Sequence, residues 1–144
     1  MNRPVMPDTG ILGKIVHPRP QREVGSWLVP LLQSGAQVTI PQIADYELRR
    51  NLLLEGLVSS IQRLDQLKVA LTYRPINTET MLKAAALWAQ ARAMKPAHAT
   101  ADPKDLDGDA ILAAQALEAG AVIATENVGH LGLFAPAQSW SDMR

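Results

Sequence analysis

Asp8, Glu47 and Asp109 are the acids whose settings a solvated surface explains least well. Asp8 closes a short apolar run, Pro4-Val5-Met6-Pro7, and leads into Thr9-Gly10-Ile11-Leu12. An Asp in that place can cap a helix start, serve chemistry at a strand end, or do both. Glu47 falls on a helical stripe of Ile43, Ala44, Glu47, Leu48, Asn51 and Leu52. A carboxylate among apolar neighbours is costly unless it is paired, protonated or metal-bound. The bland alternative is an edge-of-stripe Glu that bridges to Arg50 or another base.

Asp109 ends an acidic stretch, Asp102-Pro103-Lys104-Asp105-Leu106-Asp107-Gly108-Asp109. The small-residue run Ala110-Ile111-Leu112-Ala113-Ala114-Gln115-Ala116-Leu117 follows it. Asp is favoured near a helix start by capping and by the dipole, which accounts for one or two of these acids. The spacing Asp105-x-Asp107-x-Asp109 is that of a calcium loop, but Gly does not follow the third ligand and loop position twelve is Ala116, so an EF-hand is rejected. Thr125-Glu126-Asn127 closes the clearest apolar run, Ala121 to Ala124, and reads either as a site or as a plain strand-to-loop turn.

The elements that must position these residues alternate in type. Strand-like runs lie at Pro4 to Pro7, Gln37 to Ile40 (closed by Pro41), Ala70 to Tyr73, Ala121 to Thr125 and near Gln138 to Trp140. Helical patterns lie between them, at about 21–34, 42–55, 57–68, 78–94 and 109–119. Gly35, Gly56 and Gly120 stand where helices should stop, and Pro96 follows the fourth. The segment 95–104 reads as a loop. Strands separated by helices predict an α/β fold, with a mostly parallel sheet covered on both faces. Sites in such sheets form at the carboxyl ends of the strands, where Asp8 and Asn127 would meet Asp109. Clustered carboxylates repel unless a cation joins them, and hard oxygen donors suit Mg2+ or Mn2+.

Composition narrows the classes. The 144 residues fit one domain, 1–144, and a hydrophobic share of 47% can build its core. Aromatics at 4% leave no base-stacking platform, and 14 basic against 14 acidic residues argue against a non-specific nucleic-acid coat. Without cysteine there is no disulfide, thiolate catalysis or cysteine-based zinc site. No apolar signal core follows Arg3, and no run approaches the ~18 apolar residues of a membrane span, so a cytoplasmic protein is expected.

Together these segments resemble the PIN domain, the fold of VapC-type toxins and related nucleases. Asp8-Thr9 matches the family's strand-ending Asp-Thr, and Glu47, after Ile40-Pro41, matches its helical Glu. Asp109-Ala110-Ile111-Leu112-Ala113-Ala114 matches its Asp leading an Ile-Ala-Ala-like helix, and Thr125-Glu126-Asn127 its Thr-x-Asn strand end. His130 and Phe134 match a His and an aromatic more loosely. The likeness spans about residues 4–134. Two departures stand out: Pro7 replaces an aliphatic strand residue and would shorten the first strand, and Asn127 replaces a fourth acid and weakens a second metal position.

The resemblance implies a three-layer sandwich around a five-stranded sheet and divalent-metal hydrolysis of RNA phosphodiesters. Asp8, Glu47 and Asp109 would hold Mg2+ or Mn2+ and, through it, the attacking water. Thr125 would tie the acids together, Asn127 could coordinate or orient water, and Asp107 would be an outer acid or, preferably, a helix cap. Lys14, Arg49 and Arg50 are candidate phosphate contacts, with solvated surface charge as the alternative, while His17 and His98 read as ordinary loop residues. The expected partners are RNA, a small antitoxin and a second copy. Leu52, Leu53, Leu54, Leu57 and Val58 give more apolar surface around Gly56 than one helix face needs. A helical hairpin over about 42–68 would bury it against a second copy or an antitoxin helix, or simply in the core. The other readings are a degenerate PIN module that binds without cutting and a phosphohydrolase with a nucleophilic Asp. The latter lacks its usual second acid two residues after Asp8.

Overall fold

The computed structural model describes residues 3–17, 22–94 and 106–143, with side chains from 27 onward in the second of these stretches. His98, Asp102, Asp105 and the expected loop at 95–104 lie outside the described residues. The strands are β1 (Val5–Pro7), β2 (Thr39–Pro41), β3 (Thr72–Arg74), β4 (Val122–Thr125) and β5 (Ala137–Ser139). The helices are α1 (Thr9–Val16), α2 (Arg22–Gln33), α3 (Gln42–Glu55), α4 (Val58–Ala70), α5 (Thr78–Met94), α6 (Asp107–Ala119) and the single turn α7 (Val128–Leu131). The fold is α/β, and every strand pairing is parallel.

The expected five-stranded sheet is present as two ladders, β1-β4-β5 and β2-β3. They meet at one parallel bridge, Val5 to Val38, where the Val5 N–H donates to the Gln37 carbonyl at 2.8 Å. The sequence explains why the joint is so short. Along a parallel strand, successive backbone groups alternate between the two neighbours. Val5 faces β2, whereas Pro4 accepts from Val122 and Asp8 donates to Ala124, both on β4. The next donor toward β2 would be residue 7, and Pro7 has no N–H. Pro7 therefore remains in β1, in register with Ala124, while interrupting the ladder on its other side.

Alternation along the strands feeds a core on each face of the sheet. Val5 and Ala124 pack with Ile11, Trp27 and Leu31 of α1 and α2. Met6 and Ile123 point the other way and pack with Ala110, Ala113 and Ala114 of α6. The small side chains of α6 let its backbone lie close to the sheet and to α5. The helix stops at Gly120, whose φ of 65° is available to Gly at little cost; Gly56 ends α3 in the same way at φ 71°. Gln115, fully buried on α6, accepts from the Ile43 N–H at 3.1 Å and donates to the Arg74 carbonyl at 2.8 Å. It thereby fixes the start of α3 against β3.

Asp45 is a buried acid that helical periodicity did not single out, at 6% exposure. Its Oδ1 accepts from Arg49 Nε at 3.0 Å, and its Oδ2 lies 2.9 Å from Lys68 Nζ and 3.4 Å from the Tyr73 hydroxyl. Arg49 continues the network to Asp65 at 2.7 Å. Burial, and then the charge of Asp45, push the Tyr73 phenol above its usual range. These contacts join α3, α4 and β3. At the tip of the α3–α4 hairpin, Leu52 is buried but Leu53, Leu54, Leu57 and Val58 are exposed, Leu54 by 86%. Packing among the described residues therefore leaves that surface uncovered. Among the described residues, no helix is long and apolar enough to cross a membrane.

Removing the Asp45 carboxylate leaves Lys68 and one arm of Arg49 without their buried acceptor. Asp45→Ala is expected to lower the stability of the protein by about 2 kcal/mol, the scale of a lost hydrogen bond to a charged group. Urea unfolding of the variant beside wild type measures it; an unchanged midpoint and slope would remove Asp45 from the framework.

Candidate active site

The chain ends of β1 and β4 create the first half of the site. Asp8 follows Pro7 directly and caps α1, its Oδ1 accepting the Ile11 N–H at 2.9 Å. Its other oxygen, Oδ2, accepts from the hydroxyl of Thr125 at 2.6 Å. Thr125 is fully buried at the end of β4, and the same hydroxyl accepts the Asn127 N–H at 2.8 Å. Capping and a place in the site thus coexist at Asp8.

The second half comes from two helices. Glu47 projects from α3, and its Oε1 accepts from the Thr9 hydroxyl at 2.7 Å. Thr9 adjoins Asp8, so one dipeptide reaches both acids. Asp109, in the first turn of α6, has Oδ2 at 2.8 Å from His130 Nε2. Gly108 lets α3 and α6 come together: a Cβ there would overlap Glu47 Oε2 and lie 3.1 Å from its Cδ. A side chain at that position would displace the Glu47 carboxylate from where it now sits.

The electrostatics follow from this crowding. Burial raises the pKa of Asp8 above the ordinary carboxylate value; the Thr125 hydroxyl and the Ile11 amide pull it back, and the charge of Glu126 pushes it up again. Burial likewise raises Asp109. His130 opposes that shift, while the charges of Glu47 and Asp8 add to it. Asp8, Glu47 and Asp109 are therefore electrostatic neighbours. Among the described residues, no three His, Asp or Glu side chains already converge as a metal-binding group. In kind, the donors do suit a hard cation: carboxylates only partly exposed to water, repelling one another, with hydroxyls and amides on some of their oxygens.

The remaining expected site residues are placed less centrally. Asn127 is exposed, and no side-chain hydrogen bond caps α7 there. Asp107 is the first residue of α6; the N-cap is Leu106, so Asp107 does not cap the helix. It borders an apolar groove between α5 and α6, with Met81, Trp88 and Ile111. Arg49 is committed to Asp45 and Asp65. Arg50 lies over the Tyr46 ring, 5.2 Å from its centroid. Lys14 pairs with Glu126, which lowers the pKa of that exposed acid. His17 ends α1, and its carbonyl accepts from Arg63. Sequence reasoning assigned no role to the contacts made by Thr9, Gly108, Glu126 and His130. The adjacency of Thr9 to Asp8 and of Gly108 to Asp109 was the available signal.

A parallel α/β sheet with Asp8 after a strand and Glu47 and Asp109 on neighbouring helices defines a class of α/β proteins. Within that class, the PIN domain family matches residues 5–130, and the chain belongs to it. Solved structures share the fold at low sequence identity. FitAB bound to an IR36 DNA fragment is 21% identical, with a TM-score of 0.69 over 97% of each chain. FitAcB from Neisseria gonorrhoeae is 23% identical, with a TM-score of 0.61 over 96% of this chain and 99% of that one. VapBC2 from Rickettsia felis, bound to a DNA fragment from its promoter, is 17% identical, with a TM-score of 0.74 over 94% and 98%. No curated protein matches this sequence.

The raised pKa of Asp8 has a definite sign for stability. The folded protein retains this proton at a pH where the unfolded chain has released it. The resulting stabilisation is complete at low pH and is lost as pH rises through the raised value. At neutral pH without metal, ionised Asp8 is thus a net cost, whereas Asn still caps α1. Asp8→Asn in chelator at pH 7.5 is expected to melt higher than wild type. A lower melting point would show that the carboxylate stabilises the metal-free fold.

Proposed function

We propose that this PIN-domain protein is an endoribonuclease dependent on Mg2+ or Mn2+ and the toxin of a toxin–antitoxin module. The observation that carries the proposal is the proximity of three acids from separate elements: Thr9, next to Asp8, donates to Glu47, Gly108, next to Asp109, abuts Glu47, and the charges of Glu47 and Asp8 act on Asp109. PIN domains as a family are nucleases. A divalent ion bound there would neutralise charge on the phosphoryl group and supply an activated water. Asp8, Glu47 and Asp109 are its proposed holders. Thr9 and Thr125 fix the orientations of Glu47 and Asp8 through their hydroxyls.

Arg50 is the first candidate for phosphate contact, because Arg49 is held by two acids and Lys14 would have to exchange Glu126 for a phosphate. The similar VapBC2 and FitAB structures are complexes, and each was solved on DNA. A small antitoxin is accordingly the proposed partner of this chain, in the cytoplasm, together with a second copy. The uncovered leucines of the α3–α4 tip offer apolar surface for either.

Asn127 favours one alternative, a degenerate PIN module that binds RNA or protein without cutting, because it brings no fourth charge. Cleavage of structured RNA in Mg2+ or Mn2+, with and without chelator, separates the two. Wild type is expected to cut only without chelator. Glu47→Gln should keep its fold and lose at least ~100-fold in rate, beyond the usual cost of changing a residue that merely supports a ligand. Full activity in Glu47→Gln, or cleavage that survives chelation, would defeat the mechanism. A wild type that cuts no RNA in a broad panel supports the binding module.

A further inference from the structure

His130 lies outside the carboxylate set yet touches it, and its surroundings differ from those of a surface histidine. The short segment from Thr125 to His130 reaches two acids on other elements. Its first residue donates to Asp8, and its last stands 2.8 Å from Asp109 Oδ2. The segment is anchored at both ends. Thr125 is fully buried in β4, and Leu131, next to His130, packs in the core with Phe134 and Ala135. The Leu131 N–H closes the single turn of α7 on the Asn127 carbonyl at 3.2 Å. The His130 ring meets Phe134 edge-to-face, with centroids 6.4 Å apart and planes at 67°. Backbone and ring are therefore both held, as a group that orients another must be.

Asp109 needs such a restraint. Its side chain is 30% exposed, so solvent is within reach, and Glu47 and Asp8 push on its charge from the protein side. A free carboxylate at a helix start would rotate away from both. The Nε2–H of His130 opposes that rotation through Oδ2. Either the neutral ring with its proton on Nε2 or the imidazolium makes this bond, so the restraint needs no change of protonation.

We infer that His130 is a positioning residue, which holds the Asp109 carboxylate in the cluster and so sets the affinity of the site for a divalent cation. With Thr125 on Asp8, the β4–α7 segment then acts as a two-point clamp that fixes the separation of two of the three acids. The inference rests on the metal-site reading above, and its test needs no RNA.

Mn2+ binding to the full chain, followed by the electron paramagnetic resonance signal of free Mn2+, compares wild type with His130→Phe and His130→Gln. Phe keeps the packing against Phe134 and removes the donor; Gln keeps an N–H donor and removes the ring. Melting curves in chelator establish that each variant is folded. His130→Phe is expected to bind Mn2+ about 10–100-fold more weakly, and His130→Gln to stay within ~3-fold of wild type. Equal affinity in wild type and His130→Phe would overturn the positioning role while leaving the metal site intact. Loss in His130→Gln equal to that in His130→Phe would show that a restored donor does not restore affinity and would also overturn it, while loss in His130→Gln alone would assign the effect to ring packing and overturn it as well. A wild type that binds no Mn2+ would overturn the metal-site reading, and this inference with it.

Discussion

Repulsion among carboxylates gathered in a partly desolvated corner is the constraint on which the surrounding structure depends. Asp8, Glu47 and Asp109 approach one another against their own charge, and burial makes that charge harder to keep. Each acid is consequently restrained from a different direction. Thr125 and the Ile11 amide hold Asp8, Thr9 holds Glu47, and His130 holds Asp109. Gly108, without a Cβ, leaves the Glu47 carboxylate its present place beside the start of α6. The parallel sheet supplies the common edge, and the small-residue packing of α6 brings its first turn to that edge.

Asp45 shows what the protein does with a buried acid that serves the fold. It is more deeply buried than Glu47, yet Arg49, Lys68 and Tyr73 surround it with cationic or hydroxyl donors. The site acids receive mainly hydroxyls and amides, which orient a carboxylate without neutralising it. That difference sets the ion pair of Asp45 apart from the proposed metal site. It also gives the site a cost in stability, as is common where function needs an unfavourable arrangement.

Much of this was legible in the residues. The alternation of short apolar runs with helical patterns located all five strands, and Gly56 and Gly120 marked the helix ends where their positive φ values now lie. Glu47 stood out because it falls among apolar neighbours on its helix, whereas Asp8 and Asp109 were singled out by their places at a strand end and a helix start. Other features depend on distance in space rather than in sequence. The single-bridge joint between β1 and β2 follows from which neighbour the missing Pro7 N–H would have faced, and that requires the strand order. Asp45 sits two residues before Glu47, and helical periodicity placed only the latter on the apolar stripe. Its burial comes from Lys68 and Tyr73, residues of α4 and β3. Likewise, Asp107 has the composition of a helix cap, but α6 begins one residue too early for it to act as one.

The central claim is that repulsion among these acids is relieved by a divalent cation. The most direct measurement is the melting temperature of wild type and of the double variant Asp8→Asn/Asp109→Asn, each in chelator and in excess Mg2+ or Mn2+. A ligand that binds only the folded state adds about 2.7 kcal/mol of stability at a hundred times its dissociation constant. The account predicts a clear metal-dependent rise for wild type and none for the double variant. An equal rise in both proteins would contradict it, because the cation would then be binding somewhere other than these carboxylates.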